Sequence, residues 1–202
     1  MLASVLLLAS CGSPTREPAR PSARPSARET AQCHADLRQI GVSFRPLPDK
    51  DHGGGCGLFG AVQLLDVGVP VGGLTAVSCG EARAFVTWVR NGMAPAAYQM
   101  LGSELVRVDT LGSYACRNVA GRDRRSGHAI ANAIDVAGIR LKDGRRLTVA
   151  ADWNGDDERV RDFWRTLRRS ACRRFGTVLS PDYNAAHADH LHLEDDRAQF
   201  CR

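Results

Sequence analysis

The sequence has no apolar run long enough to cross a bilayer, which takes about twenty residues; the opening around Val5, Leu6, Leu7 and Leu8 stops well short. It has no Cys-x-x-Cys pair, which argues against a thiolate zinc site. It has no Gly-x-Ser-x-Gly elbow, so Ser126 lacks the setting of a serine-hydrolase nucleophile. No internal repeat and no second linker interrupt the chain beyond its first thirty residues, which points to one domain. Histidine is scarce too, with six in all, yet four of them fall in two short segments.

What is present at the N-terminus speaks of export. The apolar opening reads as a signal-peptide core over residues 1–10, although no Lys or Arg precedes it. Leu8-Ala9-Ser10-Cys11 resembles a bacterial lipobox, which would make Cys11 the lipidated N-terminus of the mature chain. An ordinary cleaved signal and a buried apolar N-terminus are the alternatives. Residues 11–30 are then a Pro/Arg/Ser/Ala tether with too little apolar surface to offset chain entropy. The expected location is the bacterial cell envelope, with the chain anchored to a membrane through its N-terminal lipid and facing the periplasm. A formal charge of +5 does not argue for nucleic acid, which an exported chain would not meet.

Seven cysteines fit that setting. Setting Cys11 aside leaves Cys33, Cys56, Cys79, Cys116, Cys172 and Cys201, an even set that reads as disulfides in an oxidising compartment. Six cysteines allow about fifteen pairings, and spacing does not choose among them. Residues 31–202 supply one domain's worth of chain, expected to act as a monomer. Helical periodicity predicts helices over Cys79–Arg90 and Glu158–Arg173, the second opened by Asp156 or Asp157. Alternation predicts strands over Leu105–Thr110, Ala133–Leu141, Arg146–Trp153 and His190–Glu194, with Lys142-Asp143-Gly144-Arg145 as a hairpin turn. Gly- and Pro-rich text before Cys79 reads as loops. The fold class is α+β, a small antiparallel sheet carrying a zinc site, flanked by helices and stapled by disulfides.

The chemistry is concentrated in His128, Asp135 and the run His187-Ala188-Asp189-His190-Leu191-His192. Catalytic Zn²⁺ is commonly held by three imidazole or carboxylate ligands with one position left for water. On a strand, residues two apart share a face, so His190 and His192 point together while Leu191 and Leu193 turn to the core. Asp135 alternates with Ile134 and Val136, and a carboxylate so flanked needs a partner when buried. A zinc ion would serve.

Ser126-Gly127-His128-Ala129-Ile130-Ala131-Asn132-Ala133-Ile134-Asp135 resembles the Ser-x-His-x-x-Gly-x-Ala-x-Asp signature of D,D-carboxypeptidases and related cell-wall zinc peptidases. His187-x-x-His190-x-His192 is similar to the run of penicillin-insensitive murein endopeptidases, in the same broad group as lysostaphin-type enzymes. More closely, the chain resembles the bacterial extensin-like C-terminal domain family. Tyr114-Ala115-Cys116-Arg117, Ala171-Cys172-Arg173-Arg174-Phe175-Gly176 and Val178–Asn184 carry that likeness, which covers nearly all of Cys33–Arg202. It implies zinc ligands His128, Asp135 and His192, with His190 as catalytic base or transition-state stabiliser and His187 as a supporting or proton-relay histidine. It implies that Arg117 lies near the scissile carbonyl and that Ser126 contacts substrate. Ala131 stands where the signature has glycine, and the Glu-x-x-His arrangement of many carboxypeptidase relatives is absent.

The expected activity is hydrolysis of amide bonds in peptidoglycan stem peptides by metal-activated water. The alternative is an envelope lipoprotein that binds peptidoglycan or a protein and keeps zinc for stability alone.

Overall fold

The computed structural model describes residues 24–202; the signal segment 1–10, Cys11 and the tether as far as residue 23 lie outside them. The end of the segment read as tether is not extended. Helix α1 spans Ala27–Gln39 because Ser26 and Glu29 form a reciprocal capping box. Ser26 Oγ accepts from the Glu29 N–H at 3.2 Å and the Glu29 carboxylate accepts from the Ser26 N–H at 2.8 Å, which satisfies two donors at the helix start.

The text before Cys79 is not simply loop. It holds β1 (Ser43–Pro46), β2 (Lys50–Gly53), β3 (Cys56–Leu58), β4 (Ala61–Asp66), β5 (Val71–Gly72) and β6 (Val77–Ser78). Strands β1, β4 and β6 form a three-stranded antiparallel sheet, while β2 and β3 make a hairpin. Strands this short, punctuated by glycine, carry too little alternation to stand out in sequence. The helix predicted over Cys79–Arg90 runs further. After α2 (Cys79–Trp88), a π-helical turn at Val89–Met93 leads directly into α3 (Ala94–Leu101). Pro95 lies in the first turn of α3, where its missing N–H leaves no bond unmade.

The remaining elements are β7 (Leu105–Gly112), β8 (Ala133–Leu141), β9 (Arg146–Thr148), α4 (Val149–Asp152), α5 (Glu158–Ala171), β10 (Thr177–Leu179), β11 (Leu191–Glu194) and β12 (Phe200–Cys201). The strand predicted over Arg146–Trp153 is therefore cut short. Thr148 Oγ1 accepts from the Ala151 N–H and Asp152 accepts from the Thr148 N–H, a reciprocal cap that turns the chain into α4. Helix α5 starts behind Asp157, whose carboxylate accepts from the Arg159 and Val160 N–H groups. The hairpin turn between β8 and β9 forms as expected.

The central sheet is larger than expected and mixed rather than antiparallel. Its order is β12-β10-β11-β8-β7-β5, with β9 also on β8, and the β10–β12 and β5–β7 pairs are parallel. The apolar stripe of α5 (Phe163, Trp164, Leu167) joins Phe85, Trp88 and the inner side chains of β8 in one core. Along β8 those inner residues are Ile134 and Val136, then Ile139 and Leu141. The parity changes at a bulge, where Thr110 pairs with Val136 but Asp109 pairs with Gly138. Asp135 and Arg140 consequently lie on the same outer face of the sheet.

Three disulfides staple this domain. Cys33–Cys79 joins α1 to α2, Cys56–Cys116 joins β3 to the segment after β7, and Cys172–Cys201 joins the end of α5 to β12. No helix among the described residues is long and apolar enough to cross a membrane.

Candidate metal centre

The register of β8 and β11 builds the site. His192 lies directly opposite Asp135 in the antiparallel pair, so their side chains rise together from the outer face. His192 Nδ1 is 2.9 Å from Asp135 Oδ1. His128 arrives from a one-turn 3₁₀ helix at Gly127–Ile130 and sets Nε2 3.1 Å from Asp135 Oδ2 and 3.2 Å from His192 Nδ1. One donor atom from each of the three residues lies within 4.8 Å of the others, close enough to share an ion. All three side chains are buried.

Their outer partners fix the tautomers. His128 Nδ1 is 2.6 Å from the Ser113 carbonyl, which can only accept, so the proton sits on Nδ1. His192 Nε2 is 3.3 Å from the Glu194 carboxylate, which assigns its proton to Nε2. Both inward nitrogens, His128 Nε2 and His192 Nδ1, converge on the Asp135 carboxylate, and each would turn a lone pair to an ion that displaced its proton. Histidines held this way by a carbonyl and a carboxylate are the usual support of a metal ligand. An N, O, N donor set of this kind suits Zn²⁺.

Charge points the same way. Burial would raise the Asp135 carboxyl, but hydrogen bonds to His128 and His192 outweigh it and hold it well below the usual carboxylate range. Burial alone would depress His192, yet Asp135 and Glu194 lift it to about 9. The group therefore demands positive charge, either a proton on His192 or a cation among the three.

The other two histidines of the run come to the same place. His190 immediately precedes β11, with Nε2 3.4 Å from Asp135 Oδ1 and Nδ1 2.7 Å from the Asp189 carboxylate. His187 ends a short 3₁₀ turn at Ala185–His187, where Asn184 Oδ1 lies 2.7 Å from its Nδ1. Its ring centroid is 5.2 Å from that of His190 and 5.8 Å from that of His192. Burial, then the charges of His192 and His190, push His187 down to about 4. The exposed Arg117 is close enough for its charge to add to that depression. Ser126 is buried and caps the 3₁₀ turn, its hydroxyl accepting from the His128 N–H at 3.4 Å.

Several parts of the site have no counterpart in the sequence reading. Glu194 is one, although it follows His192 by two on the same strand and so shares its face. Its carboxyl occupies the space that a side chain at Gly127 would fill, so a larger residue there would have to displace Glu194. Ala131, which stands where the signature has glycine, has a left-handed backbone at φ 55°, a conformation that costs a non-glycine residue about 1 kcal/mol and leaves local strain.

A closed hydrogen-bond circuit secures the back of the site. Ser78 Oγ donates to Asn132 Oδ1, Asn132 Nδ2 donates to the Asp195 carbonyl, the Asp195 N–H donates to Glu81, and the Glu81 N–H donates to Ser78 Oγ. It joins the start of α2 to the two segments that carry His128 and His192. Glu81 is fully buried, and burial with the nearby Asp195 carboxylate raises its carboxyl well above the usual range.

Fold and site together define a disulfide-stapled α+β domain with a buried His–Asp–His group that could hold a metal ion. Residues 31–202 match the family described as Extensin-like protein C-terminus, and the chain belongs to that family. Neither the curated proteins nor the solved structures contain a match.

Proposed function

We propose that this chain is a zinc-dependent peptidase of the bacterial cell envelope, hydrolysing amide bonds in peptidoglycan peptides. The observation that carries the reading is the convergence of His128 Nε2, His192 Nδ1 and the Asp135 carboxylate, with His190 and His187 beside the same group. The resemblance of Ser126–Asp135 to the D,D-carboxypeptidase signature, apart from Ala131, and of His187–His192 to the murein endopeptidase run supports it. The lipobox-like Leu8–Cys11 supports a lipoprotein anchored through Cys11.

His128 Nε2, an Asp135 oxygen and His192 Nδ1 would hold the ion. Bound zinc supplies a Lewis acid that makes water nucleophilic near neutral pH and polarises the amide carbonyl. His190 accepts the proton of the attacking water at Nε2 and returns it to the departing amine. Asp189 fixes the ring for this task by accepting from Nδ1–H. His187 stands ready as a second proton carrier, Arg117 faces the developing oxyanion, and Ser126 serves substrate chiefly by holding the His128 turn in place.

A binding module that keeps zinc for stability alone would need the three ligands but not the Asp189–His190 pair. Purified sacculi incubated with residues 24–202, which keep the α1 cap, test the choice, with muropeptides read by mass spectrometry beside metal analysis of the protein. Metal-dependent loss of a defined cross-link or terminal residue, abolished by His128→Ala and by His190→Ala, is expected. Stoichiometric zinc without any cleavage would replace the enzyme by the binder, and no bound metal would overturn both.

A further inference from the structure

Three arginines stand in a row across the outer face of the central sheet, on three adjacent strands. Arg107 of β7 pairs directly with Arg140 of β8, and Arg140 pairs directly with Arg146 of β9. Like charges set opposite one another in this way destabilise a sheet. Asp109 is the single carboxylate within 4.0 Å of any of the three among the described residues. It lies 2.5 Å from Arg107 Nε, 3.4 Å from Arg140 Nε and 4.0 Å from Arg146 Nε. Three guanidinium charges against one carboxylate leave an excess of two positive charges at one spot.

The row is also seated. A side chain at Gly72 of β5 would collide with the Arg107 guanidinium, so the neighbouring strand leaves space for that group to lie across it. Arg107 and Asp109 are two apart on β7 and share a face, which holds one fork still while Arg140 and Arg146 reach into solvent. Burial would raise the Asp109 carboxyl, but the Arg107 and Arg140 guanidiniums keep it below the ordinary range, so it remains an anion among cations.

We propose that Arg107, Arg140 and Arg146 form a binding site for a multiply charged oxyanion of the phosphate type, with Asp109 as the internal anion that organises the forks. Planar guanidiniums suit such groups because each can donate two parallel hydrogen bonds. The bulge in β8 places this site on the face that carries Asp135, five residues away along the same strand and roughly 15 Å distant. An extended ligand could thus touch the arginine row and the histidines together. The assignment does not depend on the metal centre.

Inorganic phosphate titrated by calorimetry into the chelator-treated protein tests it. Wild type should bind phosphate, while Arg140→Ala/Arg146→Ala should bind at least tenfold more weakly. Asp109→Asn should bind several-fold more tightly, because it removes the internal competitor. A purely structural ion cluster predicts the opposite for Asp109→Asn, a loss of stability with no gain in binding. Flotation with phosphatidylglycerol against phosphatidylcholine vesicles separates the sources. Phosphatidylglycerol-specific flotation that falls in the arginine pair variant assigns a lipid headgroup, and phosphate binding without such a change assigns a soluble or polymer-borne oxyanion. Equal phosphate binding by wild type and the pair variant overturns the site.

Discussion

The two ends of the outer sheet face carry charge in opposite ways. At one end His128, Asp135, His190 and His192 are each less than a tenth exposed, and every ring has a partner on at least one nitrogen. At the other, Arg107, Arg140 and Arg146 are 39 to 61% exposed around an Asp109 that is 18% exposed. Strand β8 supports both clusters. Burial decides what each can do, since charges removed from water interact several times more strongly than charges at a wet surface. The buried end therefore suits a tightly held ion, and the exposed end would suit an exchangeable one.

The largest expected effect separates the two ends by pH. In metal-free protein His192 is raised from 6.5 to about 9, so its stabilisation is fully present below about 6.5 and lost as pH climbs through about 9. Asp135 is depressed, so its share is present above the unfolded carboxyl value and lost as pH falls. Thermal melts of chelated protein should thus lose on the order of 3 kcal/mol between pH 6 and 10. Asp135→Asn should flatten most of that fall. A curve unchanged by the substitution would show that the buried pair does not govern it.

Next comes the partner of His192. Glu194→Gln keeps the shape but weakens the hold on Nε2–H, and zinc affinity should drop about 10- to 100-fold. Competition with a zinc chelator reads the change, and equal affinity would remove Glu194 from the site's support. The smallest effect is local. Ala131→Gly should relieve the left-handed strain and stabilise the protein by about 1 kcal/mol in denaturant unfolding. A loss of stability would mean that the alanine methyl packs better than its backbone suffers.

Sequence reading reached the His128–Asp135–His192 group because its logic is local. Alternation puts Asp135 opposite in facing to Ile134 and Val136, and His-x-His on one side of a strand. The same rule extended by two residues reaches Glu194, a signal that was present and unused. Ser113, Asn132 and Glu81 are a different matter. They meet their partners across separations of 15, 63 and 114 residues, so only the closed sheet brings them in. The glycine-to-alanine departure at Ala131 was visible, but its positive φ was not. Helix α3 was hidden by Pro95, which reads as a breaker inside a helix and as a starter at its first turn. The size of the sheet escaped because β5, β10 and β12 are two or three residues long and owe their pairing to tertiary context.

His128 and His192 are 64 residues apart, on segments that touch only when β8 and β11 have paired. An ion held between them would bind the finished chain and have little purchase on an unfolded one. It would therefore act as a reversible cross-link, restricting the denatured ensemble much as the Cys33–Cys79 bridge does over 46 residues. Loading then belongs at the end of folding, and metal supply becomes a term in how long each molecule survives heat and proteolysis.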